Sequence, residues 1–234
     1  MAIIKETHIT FFGIRIGRFL FLFLSIILMM VLRPILGGII RLTILTDILF
    51  TAVLISGLWA ASQKREIFLV ALLMAIPALV LGWVPYFVKL PFLWILSRVF
   101  LAIFLAVMMI SLLSHIRKAK EVTADLIMGA ASTYFLIGLF WAFIFFFIET
   151  VSPGSFRLEG SWADMQSQLI YYSFVTLATV GYGDITPASM IARSYSVLEA
   201  IIGQLYLTVL VAGLVGLRIS QSTERKVEEG VRLS

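Results

Sequence analysis

The sequence predicts an all-α membrane protein with six transmembrane helices, and a short re-entrant helix with an irregular return limb between the fifth and sixth. Three observations carry that expectation. Of the 234 residues, 61% are hydrophobic and 13% charged, with a mean hydropathy of +1.07, more apolar side chain than a soluble core of this size hides. The apolar residues fall in runs long enough for spanning helices, each of which needs roughly 20 such residues. Between the last two runs, the stretch TLATVGYGDITP (Thr176–Pro187) concentrates glycine and polar residues.

The spans are expected at 16–33, 43–61, 66–84, 92–115, 126–148 and 189–217. Arg33-Pro34 and Gly37-Gly38 bound the first, where proline and paired glycines end or kink a helix. No short apolar stretch leads through a small-residue cleavage site into a soluble body, so no cleaved signal peptide is expected. The polar linker RKAKEVTAD separates two parts, giving a four-span block over 1–116, a cytoplasmic linker over 117–125, a second membrane part over 126–217 and a tail over 218–234. That tail is too short for a folded ligand-binding domain, so no soluble ligand domain is expected, and its mixed charges are expected to fray rather than extend a helix.

Lys and Arg set the orientation. With the N-terminus inside, twelve fall on the inner side, among them Lys64, Arg65, Arg117, Lys118 and Lys120, against five on the outer side. This bias puts both termini in the cytoplasm of a cell membrane, and Thr176–Pro187 outside. A compact chain of this kind suggests a prokaryotic membrane.

Composition also excludes. There is no cysteine, hence no disulfide framework or thiolate metal site. His8 and His115 lie at membrane borders and form no metal cluster. The net charge of +5 reflects membrane topology rather than nucleic-acid binding. No serine–histidine, paired-carboxylate or phosphate-cradling arrangement is present, so neither an enzyme nor a cofactor is expected.

The loop between the fifth and sixth spans carries the chemistry. Ser152-Pro153-Gly154 reads as a turn, and Asp164 or Ser167 is placed to cap a helix over Met165–Ala178. At roughly 1.5 Å per residue that helix covers about 20 Å and cannot cross the bilayer. It must enter and return, and a return limb is tolerated only where it is buried in protein or lines a watery path. In Thr179-Val180-Gly181-Tyr182-Gly183, successive carbonyls point to one side only if alternate residues adopt dihedrals that glycine permits at low cost. A dehydrated cation would use those carbonyls, with the Thr179 hydroxyl adding oxygens at the inner end. Val180 and Tyr182 then point away and pack against the short helix. Asp184 is placed to hydrogen-bond behind the limb, and the negative end of the helix favours a cation.

Thr179–Asp184 is similar to the TVGYGD signature of potassium-channel selectivity filters, and Tyr171–Ala178 resembles the pore helix of that family. The resemblance covers roughly 126–217. It implies four copies of the chain around one axis, in the membrane lipid, conducting K+ passively with no catalytic site. It also implies K+ ligands at Thr179, Val180, Gly181 and Tyr182, with Gly183 completing the filter. Gly203, 20 residues after Gly183, stands where many such channels have a hinge glycine; close packing between helices is the other reading of it. The resemblance places Gln204, Leu207, Val211, Val215 and Ile219 toward the pore axis, a spacing that keeps one helical face.

Val175 stands where some relatives carry a glutamate behind the filter. Asp184 is therefore expected to rely on Tyr171 or Tyr172, which stand where tryptophans are common. Glu149 closes the fifth span as a glutamate does in voltage-gated relatives, where it props the outer pore; a solvated helix-end carboxylate is the alternative. Glu199 lies level with the back of the pore helix, where it either hydrogen-bonds Thr176, Ser173 or Tyr172 or acts as a pH-sensitive switch. Six spans with a pore loop look like the voltage-gated architecture, yet the fourth span carries one basic residue, Arg98, and steep gating needs about 3–4 charges per subunit. Asp47 in the second span is its obvious partner, as a structural pair, a residual sensor or two snorkelling groups. Two other functions fit less of the sequence. A weakly selective cation pore is disfavoured by the intact Tyr182 and Gly183. The membrane subunit of a potassium transporter is disfavoured because its relatives carry four divergent loops in one long chain.

Overall fold

The structure, a computed structural model, describes residues 9–11, 14–36, 42–62, 65–88, 90–119, 121–158 and 162–233. A short hairpin, β1 (Ile9–Phe11) with β2 (Ile14–Ile16), precedes helices α1 (Arg18–Leu36), α2 (Leu42–Ala61) and α3 (Arg65–Trp83). A 3-10 turn at Val84–Tyr86 follows, then α4 (Pro91–Lys118) and α5 (Ala124–Val151). The strand β3 (Phe156–Arg157), α6 (Trp162–Leu177), β4 (Thr186–Pro187) and α7 (Met190–Leu233) complete the chain. Among the described residues, five helical segments are long and apolar enough to cross a membrane: Ile44–Ala61, Arg65–Tyr86, Phe92–Lys118, Ala124–Val151 and Met190–Ile219. This is a multi-pass, mostly helical membrane protein.

The first span differs from expectation at both ends. Its apolar stretch is the shorter Arg18–Leu32, and the helix runs through Arg33-Pro34 to Leu36. Proline there falls in the last turn, where the carbonyl it leaves without an amide is near the helix end and little of the ladder is lost. Gly37 and Gly38 lie outside the described residues, as does His8.

The residues group into two compact units. In the first, α1 packs along α2. Phe19, Leu22, Ile26 and Met29 are buried at the three- and four-residue steps of one helical face. The Ser25 and Ser56 hydroxyls meet at 2.8 Å, so each of these two hydroxyls has a partner inside the apolar bundle. The start of α5 belongs to this unit: Asp125 Oδ1 accepts the Phe19 amide at 3.3 Å, and the Ser132 hydroxyl donates to the Phe19 carbonyl at 3.2 Å.

The second unit holds the rest of α5, α6 and α7. Phe145, Phe156 and Tyr172 form a mutual edge-to-face cluster at 5.2–5.3 Å between centroids, fixing α6 against α5 and the loop. The two-residue strands pair Phe156 with Pro187 and Arg157 with Thr186, tying the chain before α6 to the chain after the return limb. Helix α6 begins at Trp162, so Asp164 and Ser167 are interior to it and do not cap it. At the other end α7 is one helix to Leu233, so the tail does not fray. Glu, Arg and Lys, which recur along this stretch of the sequence, are good helix formers.

Candidate functional site

At Ala178 the backbone leaves the helix and turns back. Thr179, Gly181 and Gly183 all have positive φ, at 56°, 58° and 81°, while Val180 and Tyr182 between them do not. This is the alternation expected for the two glycines, and it reaches one residue further, onto a β-branched threonine. Left-handed backbone costs such a residue about 1–2 kcal/mol, so its surroundings must hold it there. The Thr179 amide donates to the Thr176 carbonyl at 2.9 Å, and the Gln204 amide donates to the Thr179 hydroxyl at 3.2 Å.

The limb's hydrogen bonds are one-sided. The amides of Ala178, Thr179, Val180 and Gly181 donate back to the carbonyls of Phe174, Thr176 and Val175. Among the described residues no backbone amide donates to the carbonyls of Thr179–Gly183. A buried carbonyl without a partner is costly, so these five either meet solvent or bind something electropositive. Val180 and Tyr182 are 51% and 72% exposed, which corrects the expectation that they pack against the short helix.

The elements around the limb anchor it. Asp184 Oδ2 accepts the Tyr171 hydroxyl at 2.7 Å. That bond, first among the causes, holds the carboxyl below its ordinary value, helped by the Ile185 and Asp184 amides and opposed by partial desolvation. The same bond leads the causes that raise the Tyr171 hydroxyl. A depressed carboxylate contributes stability above its ordinary value and loses it as pH falls through the lowered one. Tyr171→Phe is therefore expected to move the Asp184 titration upward, followed by carboxyl-carbon NMR; an unmoved titration contradicts the contact. Tyr172 does not reach Asp184. Its hydroxyl donates to Ser196 at 2.6 Å and also meets Thr176, joining α6 to α7.

Glu149 caps the loop it precedes: its two oxygens accept the Gly154 amide at 2.8 Å and the Phe156 amide at 2.9 Å. It is a buried turn-builder, 8% exposed, and not a solvated helix end. Gly154, at φ 83°, gives the turn the left-handed residue it needs. Glu199 is fully buried and pairs with Ser173 at 2.5 Å, not with Thr176 or Tyr172.

Gly203 lies where α7 comes closest to the end of α6. A Cβ there would stand 2.6 Å from the Leu177 carbonyl oxygen, so this position is a close-packing point, and α7 is continuous through it. The approach sets Gln204 under Thr179. Leu207, Val211, Val215 and Ile219 follow along α7, all exposed. Sequence reasoning missed Tyr134, whose hydroxyl donates to the same Leu177 carbonyl at 3.3 Å and whose ring stacks on Tyr206 at 6.0 Å. It also missed Gly138, where a Cβ would fall 2.7 Å from the Phe174 ring; a glycine inside an apolar span was the available signal.

In the other unit, Arg98 Nη2 lies 2.6 Å from Asp47 Oδ1, and Tyr86 donates to Asp47 Oδ2 at 2.8 Å. Both charged side chains are 3% exposed, so neither snorkels. The Arg98 guanidinium also sits 4.8 Å from the centroid of the Trp94 ring and 5.8 Å from that of Phe50, which adds cation–π attraction where water is absent.

Residues 131–217 match a family model described as an ion channel. A stretch of 63 residues is 36% identical to two pore potassium channel c of Oryza sativa subsp. japonica, covering 27% of this chain and 14% of that protein. Another of 46 residues is 37% identical to two-pore potassium channel 3 of Arabidopsis thaliana, covering 20% of this chain and 11% of that one. Each match thus spans a small part of its relative's length. Residues 131–217, which hold α6, the return limb and the membrane part of α7, are therefore similar to an ion channel family and, over shorter stretches, to plant two-pore potassium channels.

Proposed function

We propose that four copies of this chain surround one axis and form a potassium-selective pore that conducts passively and without steep voltage dependence. The observation that carries this is the limb itself: positive φ at Thr179, Gly181 and Gly183, with carbonyls that no described amide takes. Such carbonyls replace the water around a dehydrated cation when they ring an axis, with K+ held at Thr179, Val180, Gly181 and Tyr182. One chain supplies one limb. A ring needs several, and the exposed Val180, Tyr182 and α7 face are apolar surfaces that neighbouring copies would cover.

In this reading α6, 16 residues long, is re-entrant, since it covers only about 24 Å. Six helices span a cell membrane with both termini cytoplasmic, α1 having the shortest apolar stretch, Arg18–Leu32. Leu207, Val211, Val215 and Ile219 line the inner path, Asp184, Tyr171, Tyr172, Thr176 and Glu149 hold the filter, and Gln204 steadies its inner threonine. The low voltage sensitivity follows from Arg98, the sole basic residue in the apolar body of α4, being bound to Asp47.

Liposomes loaded with K+ and containing the purified protein are expected to release K+ down its gradient, and stepwise chemical cross-linking to stop at four chains. Retention of K+ by protein that cross-links to tetramers overturns the conduction; a ladder ending at two overturns the stoichiometry.

A further inference from the structure

Behind the pore helix three helices meet at one hydroxyl. Ser173 Oγ, on α6, lies 2.7 Å from the Gly138 carbonyl oxygen on α5 and 2.5 Å from Glu199 Oε1 on α7. Ser173 is fully buried, as is Glu199. The second carboxyl oxygen, Glu199 Oε2, has no hydrogen-bond partner.

A serine hydroxyl holds one proton, and a backbone carbonyl can only accept. If Glu199 were a carboxylate, Ser173 would face two acceptors with a single proton. One of the two short oxygen–oxygen approaches would then be a bare repulsive contact. A carboxylate would also keep one oxygen buried with no donor, and such a group is costly inside a protein. The titratable groups that face Glu199 from α5 and α6 are Tyr134 and Tyr172, both neutral phenols. Tyr134 donates to the Leu177 carbonyl and Tyr172 to Ser196, so neither hydroxyl proton is left for Glu199. Arg98 is bound to Asp47 in the other unit, and among the described residues Glu199 has no ion-pair partner, its hydrogen bond being to Ser173, so no described cation offsets a charge on it.

We infer that Glu199 carries a proton and is a donor: its Oε1–H is given to Ser173 Oγ, whose own hydroxyl proton is given to the Gly138 carbonyl. This relay uses every proton once and turns both short contacts into hydrogen bonds. It makes Glu199 a positioning residue that staples the pore helix to the helices on either side. Gly138, with the Phe174 ring where a Cβ would stand, and Gly203, against the Leu177 carbonyl, let those helices come close enough for it. The protonation stands whatever ion the limb takes; only its consequence for conduction rests on the pore reading.

Infrared difference spectra of the full-length protein in lipid at neutral pH, wild type minus Glu199→Gln, test it. A carboxylic-acid C=O stretch is expected in the wild type and lost in the variant. A pair of carboxylate stretches lost in its place overturns the assignment. Should Glu199→Gln fail to assemble, Ser173→Ala leaves the acid in place and removes its acceptor, so the band is expected to shift to that of a free acid carbonyl; an unshifted band overturns the relay. In K+ flux, Glu199→Gln is expected to keep wild-type rates, because an amide N–H donates to Ser173 as the acid does, while Glu199→Leu loses flux. Equal flux from the Gln and Leu variants overturns the positioning role, and absence of flux in the wild type indicts the pore reading instead, leaving the infrared result to stand.

Discussion

Asp47→Leu is expected to lower the unfolding temperature of the purified protein sharply, and the double variant Asp47→Leu/Arg98→Leu to restore most of it. The single change leaves the Arg98 guanidinium buried with no counter-charge, and breaking a pair this way costs about 3–5 kcal/mol. It also takes the acceptor from Tyr86. Removing both charges leaves two apolar side chains where two ions had been desolvated, which is often neutral. Tryptophan fluorescence during heating reads the difference. Equal losses in the single and double variants would mean that the pair is not the source of the stability. Asp47→Asn, which keeps an oxygen for Tyr86, is expected to lower thermal stability while leaving the conductance–voltage relation in place. A large shift of that relation would make the pair a sensor after all.

Gly183→Ala is expected to abolish the preference for K+ over Na+, while Gly213→Ala leaves it intact. A Cβ at either position meets nothing within 4 Å, so crowding within the chain separates neither from wild type. The backbone does: Gly183 is at φ 81°, where an L-residue is disfavoured by about 1–2 kcal/mol, and Gly213 is inside α7, where alanine is favoured by roughly 0.5–1 kcal/mol. In the proposed ring of four the first penalty is met in every copy at once. Competition of Na+ against K+ in the flux assay reads the outcome. Retained selectivity in Gly183→Ala would show that the left-handed alternation is not what shapes the site.

The sequence made some of this legible and hid the rest for physical reasons. The return limb could be read because glycine at alternate positions has few uses in an apolar chain, and the long apolar runs located the membrane part of the helices within a few residues, but not the continuation of α7 to Leu233. Thr179 was not foreseen in the left-handed region, because local propensity argues against a β-branched residue there and only its bonds to Thr176 and Gln204 hold it. Val180 and Tyr182 are exposed, against the expectation, because spacing along the chain does not by itself say which side chains a helix covers. Asp47 and Arg98 were pairable on charge alone; Tyr86 was not, because a tyrosine at a helix end has many ordinary partners. The Ser173–Gly138 contact joins residues 35 apart in the sequence and left no periodic trace.

The reversal potential of the purified protein in a planar bilayer, with K+ on one side and Na+ on the other, tests the pore most directly. A reversal near the K+ equilibrium value, with an open probability that changes little with voltage, is expected from a carbonyl-lined limb and a neutralised fourth helix. A reversal near zero with clear channel openings would contradict it, and would mean that Thr179–Gly183 holds a shape that does not select K+.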